Sequence, residues 1–250
     1  MLPRILPPLL LAACLLAGWE SYCRLADVAP LILPAPSGVL QALVLNRADI
    51  GAHALSTMAV AALGFSLSVG FAFLVSVMLH FLPWAEKGLM PLFVASQTVP
   101  LVALAPLMIL WFGFGLLPKV LLVILVTFFP MLLSLLSGYR QTPAAFADLL
   151  ASMGAGRLSV FRRAVLPSAR PSFFAGMRIS ATYAIVATIF AEYAGARRGL
   201  GIYILAAKNN FRADLVLAAV VVSAGLTLAL LGAIRLLDRL TARGSRARHA

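Results

Sequence analysis

Six apolar stretches, near residues 5–23, 54–79, 89–110, 118–137, 173–192 and 214–235, constrain this chain more than any other feature. Each approaches or exceeds the roughly 20 residues that a helix needs to cross a bilayer. The runs are long and uninterrupted, not alternating, so helices and not barrel strands are the expected spanning elements. They use most of the 250 residues and leave no room for a separate soluble domain. Composition agrees, with 62% hydrophobic residues and a mean hydropathy of +1.01, against roughly 45–50% apolar usage in soluble domains. The expected fold class is all-α, a polytopic membrane protein of about six transmembrane helices.

The net charge of +12 raises the possibility of nucleic acid, but the positions of the cations argue for a membrane instead. With the N-terminus inside, Arg4, Lys87, Arg140, Arg157, Arg162, Arg163, Arg170, Arg178, Arg235, Arg239, Arg243, Arg246 and Arg248 fall on one side. Arg24, Arg47, Lys119, Arg197, Arg198, Lys208 and Arg212 fall on the other. Lys and Arg mark the cytoplasmic side, so both termini are expected in the cytoplasm and no nucleic-acid partner is expected.

Cys14 and Cys23 fall in or beside the first span, and His53, His80 and His249 are scattered, so no metal-ligand spacing exists. Leu11–Cys14 has the look of a lipoprotein processing site, yet Leu15, Leu16, Ala17 and Trp19 carry the apolar run past the cysteine. An uncleaved first helix is the expectation. Residues 24–52 form the longest external connection. Within it Ser37 is a candidate cap for a short amphipathic helix bearing Val39, Leu40, Leu43 and Val44, which serves as a connector or as a lid.

The third span contains Pro100 and Pro106 and closes at Gly113, Gly115 and Pro118. Proline within a span frees a carbonyl, and such helices tend to line protein or water. Gln97 and Thr98 beside Pro100 are candidates for a solute path, or simply hydrogen-bond a neighbouring helix. Pro130 is expected to kink the fourth span.

Residues 138–172 lie between the fourth and fifth spans, on the expected cytoplasmic side. Thr142 can cap a helix whose first residue is Pro143, and Gly154 stands where it would end. Phe146, Leu149, Leu150 and Met153 form an apolar stripe, with Asp148 facing elsewhere. After Gly154 a second helix is expected from Arg157 to Leu166, with Leu158, Phe161 and Val165 on one side, until Pro167 stops it. Neither helix is long enough to cross a bilayer. Two such helices bent at a glycine present an apolar ridge, which periodicity alone allows to dock into another protein's groove or to pack on the chain's own span ends.

Asp148, Gly154 six positions later, and Leu166 and Pro167 twelve and thirteen beyond that resemble the EAA loop in permease subunits of bacterial ABC importers. The usual glutamate is Asp148 here, its two alanines are Leu149 and Leu150, and its isoleucine is Ala164. LPAPSGVLQAL, VPLVALAPLMILWFGFGLLPKVL, FFP at 128–130 and AEYAGARRGLG at 191–201 resemble the branch importing nitrate, sulfonates, taurine, and thiamine-pyrimidine or riboflavin-like compounds. The resemblance covers about residues 33–240.

The resemblance implies a type I importer transmembrane core over 53–240. It is preceded by a first helix and external connector over 1–52, it includes a coupling loop at 140–171, and a basic disordered tail follows over 241–250. Phe146, Asp148, Leu149, Leu150, Met153, Gly154, Arg157, Phe161, Leu166 and Pro167 would then couple to ATPase subunits. The implied partners are those ATPases, an extracytoplasmic binding protein and a second permease copy. No cofactor is expected on this chain; ATP and Mg would sit on the ATPases, because no G-x-x-x-x-G-K-[ST] loop occurs here. Gln97, Thr98, Pro100, Trp111, Tyr183 and Glu192 are the candidate path residues, although Glu192 equally fits an ordinary helix end. The substrate expectation leans to a thiamine-pyrimidine or related heteroaromatic precursor, with sulfonate, taurine or nitrate as the alternative. An ion-coupled secondary transporter is the rival from another class. It is disfavoured because acidic residues such as Glu20, Glu192 and Asp214 lie at span edges, away from the midplane.

Overall fold

The computed structural model describes residues 2–246, which are helical with short breaks and, among the described residues, contain no strand. Its long helices are α1 (Leu2–Leu25), α3 (Arg47–Phe81), α6 (Leu116–Arg140), α10 (Arg170–Tyr193) and α12 (Ala213–Arg246). Among the described residues, five helices are long and apolar enough to cross a membrane. The run at 89–110 departs from expectation. In place of one span over 89–110 there are α4 (Pro83–Ser96) and α5 (Leu101–Phe112), bent by 99°. The chain breaks at Gln97–Pro100, because Pro100 has no N–H to continue the helix and disfavours helical geometry in the residue before it. Thr98 Oγ1 closes the break by donating to the Ala95 carbonyl at 2.8 Å. Pro106 lies inside α5 without ending it.

The core is built from α3, α6 and α10. Glycines let these helices approach closely: a Cβ added at Gly64 would stand 2.7 Å from Val123 Cβ, one at Gly138 2.7 Å from Ser172 Cβ, and one at Gly176 2.7 Å from Ser134 Cβ. Hydroxyls bridge the seams, with Ser180 Oγ donating to the Thr127 carbonyl at 2.9 Å and Ser68 Oγ to the Ile124 carbonyl at 3.4 Å. Small residues and interhelical hydroxyl bonds are what hold helices together where no hydrophobic drive exists between them. Ala72, Leu79, Met131, Leu132, Leu135, Ala181 and Ala184 fill the space between.

The pairings fix direction. Helices α3 and α6 run parallel, since Gly64 meets Val123 while Ser76 Oγ reaches Tyr139 Oη at 3.0 Å. Helix α10 returns antiparallel to α6, from Ser172 at Gly138 to Ser180 at Thr127. The bundle therefore has two distinct ends. One carries residues 141–169 and the last turns of α3, α6 and α12. The other carries α2 (Pro36–Leu45), α11 (Leu200–Asn209) and the turn at 194–199.

Helix α1 joins the rest through a carboxylate. Glu20 accepts from Ser37 N at 3.0 Å and Ser37 Oγ at 2.7 Å, and pairs with Arg24. Ser37 is thus not the cap of α2, whose N-cap position is Ala35; Glu20 satisfies its first turn from outside. Helix α12 continues through Arg246, beyond the expected start of the polar tail at 241, and residues 247–250 lie outside the described residues.

Candidate functional site

At the first end of the bundle the chain forms a hairpin of helices. Helix α7 (Ala144–Ser152) is followed by Gly154 at φ +82°, a left-handed conformation that glycine adopts without the Cβ penalty. Then come α8 (Arg157–Val160), a π turn over Phe161–Val165, and α9 (Leu166–Ser168). Two expectations change here. Pro143, not Thr142, holds the N-cap position of α7, and Thr142 Oγ1 is buried with no partner among the described residues. Pro167 does not stop the second helix. The wide π turn just before it removes the clash that a proline ring makes with the carbonyl four residues earlier, so the chain stays helical almost to α10.

The two apolar sets of this hairpin have different fates. Phe146 and Leu149 are each 59% exposed and Met153 75%, with Asp148, Gly154 and Arg157 also exposed and Leu150 half-buried. Leu158 is exposed too. Phe161 and Val165, expected on the same ridge, are instead buried. This side of the helix lies against the ends of α3 and α6, so both turn into the chain's own core. Phe161 packs against His80, Phe81 and Tyr139 with ring centroids 4.9–5.4 Å apart. Leu166 is half-buried and Pro167 exposed. Phe161 thus anchors the hairpin while Phe146, Leu149 and Met153 project from it. Arg140 pairs with Glu86 nearby, and Arg170 and Arg178 both reach Asp238 of α12 at 3.0 and 3.5 Å.

The opposite end is organised around Glu192, which is fully buried. Thr57 Oγ1 lies 3.0 and 2.9 Å from its two oxygens, and Gly201 N donates to Oε2 at 2.9 Å. Leu200 N donates in turn to Thr57 Oγ1 at 2.8 Å. His53 Nδ1 sits 3.0 Å from Gly199 N, and its ring lies 5.1 Å from that of Tyr203. Glu192 thus fills the N-terminus of α11 with a carboxylate of the chain itself, where free N–H groups and the helix dipole favour negative charge. Gly199 has φ +134°, and any Cβ there would fall on the Glu192 carboxylate.

The remaining path candidates are dispersed. Gln97, Thr98 and Pro100 are exposed at the α4–α5 break, Trp111 is exposed at the end of α5, and Tyr183 is half-exposed on α10. Glu192 does not join them on a surface. Three partners were missed in the sequence: His53 and Thr57, which stand one helical turn apart on α3, and Asp238. The first two carried a signal, as polar residues at i and i+4 in an otherwise apolar run.

The chain is thus a helical membrane bundle with a sharply bent helix pair and a projecting two-helix hairpin. Residues 63–243 match the family described as binding-protein-dependent transport system inner membrane component, and the chain belongs to that family. It is 34% identical to the formylaminopyrimidine transport permease protein ThiX of Halalkalibacterium halodurans, over 79% of each chain. It is also 34% identical to the riboflavin transport system permease protein RibX of Chloroflexus aurantiacus, over 92% of this chain and 86% of that one. Against the taurine transport system permease protein TauC of Escherichia coli the identity is 30%, over 91% and 85%.

Proposed function

We propose that this chain is the membrane-spanning path of an ATP-driven importer for a small organic solute, with the 141–169 hairpin as the seat of a separate ATPase subunit. The observation that carries this reading is the exposed ridge of Phe146, Leu149 and Met153 on a hairpin whose other face is locked by Phe161. A short amphipathic helix of this kind suits a groove on a partner. The denser set of arginines at this end makes it the cytoplasmic end. ATP and Mg reside on the ATPases, whose closure on binding ATP would push the hairpin and through it the bundle. A binding protein would deliver solute at the opposite end, and a second copy of the chain would complete the path.

The substrate reading follows the relatives, whose names divide between heteroaromatic compounds and a sulfonate. A heteroaromatic precursor remains the first reading and a sulfonate the second. Helices α6 and α10 carry no carboxylate in their middle turns, which supports ATP over ion coupling as the energy source.

The test is co-purification through a tag on this chain, expressed with the ATPase and binding-protein subunits of its own operon or genome. Phe146→Asp with Met153→Asp should insert normally and lose the ATPase. Retention of the ATPase by that double variant would remove the hairpin from the interface.

A further inference from the structure

A cavity of about 670 Å³ opens at the end opposite the hairpin, between α3, the α5–α6 turn and the 194–199 turn. Lys119, Arg197 and Arg198 line it, with no acidic residue among its lining, and none of the three makes an ion pair among the described residues. Glu192, the carboxylate that Lys119 feels, is fully buried outside the lining and already serves Thr57 and Gly201 N. Ser56 adds a hydroxyl, while Val60 and Phe114 supply apolar walls. The volume lies within the roughly 300–1,000 Å³ of small-molecule sites.

From this arrangement we infer that the cavity binds the oxyanion of an organic solute, a sulfonate, carboxylate or phosphate carried on an apolar or aromatic body. Two guanidiniums and an ammonium line one cavity, and guanidinium forks bind oxyanions by paired charge-assisted hydrogen bonds. The cations are presented on prearranged backbone. The turn that carries Arg197 and Arg198 is anchored by the Glu192, Thr57 and His53 contacts at Gly199, Leu200 and Gly201, so little ordering remains for the ligand to cost. The selection acts on charge, so a heteroaromatic solute fits only if it carries an anionic group. This inference rests on the importer reading and narrows its substrate class.

The experiment uses the full chain with its ATPases in phosphatidylcholine nanodiscs, and saturation-transfer NMR with benzenesulfonate against the neutral isostere benzenesulfonamide. Benzenesulfonate should bind and the sulfonamide should not. Replacing Lys119, Arg197 or Arg198 by Gln should weaken binding about threefold each, and the triple variant about tenfold or more. The Arg197→Lys, Arg198→Lys double variant, which keeps both charges, should retain most of it. Equal binding of the two probes, or undiminished binding by the triple variant, would overturn the assignment. So would loss of benzenesulfonate binding when phosphatidylglycerol is added, which would give the site to lipid headgroups. A triple variant that keeps anion binding but no longer captures the binding protein would make this a docking surface. Absence of ATPase from the purified sample would instead strike the importer reading, and leaves the anion measurement interpretable on its own.

Discussion

Gly201→Ala probes the tightest contact at the Glu192 end. A Cβ at residue 201 would fall on the Ile189 carbonyl oxygen, well inside van der Waals contact, and 2.6 Å from Glu192 Cβ. The obstacle is helical backbone near the C-terminal end of α10, so it cannot rotate away as a side-chain tip would, and α11 has to retreat. Overpacking of this kind costs about 1–3 kcal/mol. Retreat also breaks the 2.9 Å bond from Gly201 N to a buried carboxylate, and a hydrogen bond to a charged group contributes about 1.5–3 kcal/mol. The expected loss is therefore about 2.5–6 kcal/mol. It is read as the thermal midpoint of the purified chain in detergent, against Gly51→Ala. Gly51 lies in α3 with nothing within 4 Å of an added Cβ, so alanine there should be neutral or stabilise by about 0.5–1 kcal/mol. Midpoints for the two variants that coincide within error would show that α11 does not depend on close approach to α10.

Thr57→Val removes the hydroxyl shared by both Glu192 oxygens and Leu200 N and strands a buried N–H, so a loss of about 2–4 kcal/mol is expected by the same melting assay. Asp238→Asn weakens the ties to Arg170 and Arg178, but all three side chains are about a third exposed. Its effect should be about 1 kcal/mol or less and should shrink as salt rises. Gly154→Trp meets open space but forces a left-handed φ on a bulky residue, at about 1–2 kcal/mol confined to the hairpin. Insertion should be unchanged and ATPase capture lost, as measured by membrane fractionation and co-purification.

The five long spanning helices were legible because hydropathy reports length, and length is what a bilayer selects. The bend within the 89–110 run was not legible. Pro100 and Pro106 read alike in the sequence, yet the helix ends at one and passes through the other, because only the first has Gln97–Val99 before it to form a turn. The outer ridge of the hairpin was readable from the i, i+3, i+7 spacing of Phe146, Leu149 and Met153. Phe161 was not, since its burial rests on His80, Phe81 and Tyr139, which only folding brings beside it. Glu192 was visible as a carboxylate at a span end, but its partner Thr57 lies 135 positions away, and only folding reveals that the pair is internal.

The seam between α6 and α10 has a mechanical meaning. At Gly138 and Gly176 one helix's backbone meets the other's short serine side chains. Joints made this way have almost no slack, because no long side chain stands between them to change rotamer and absorb a displacement. The pair is therefore built as one beam with the hairpin between its lower ends. A displacement near residue 140 or 170 would carry to the far tip of α10, where Glu192 grips the turn that carries Arg197 and Arg198.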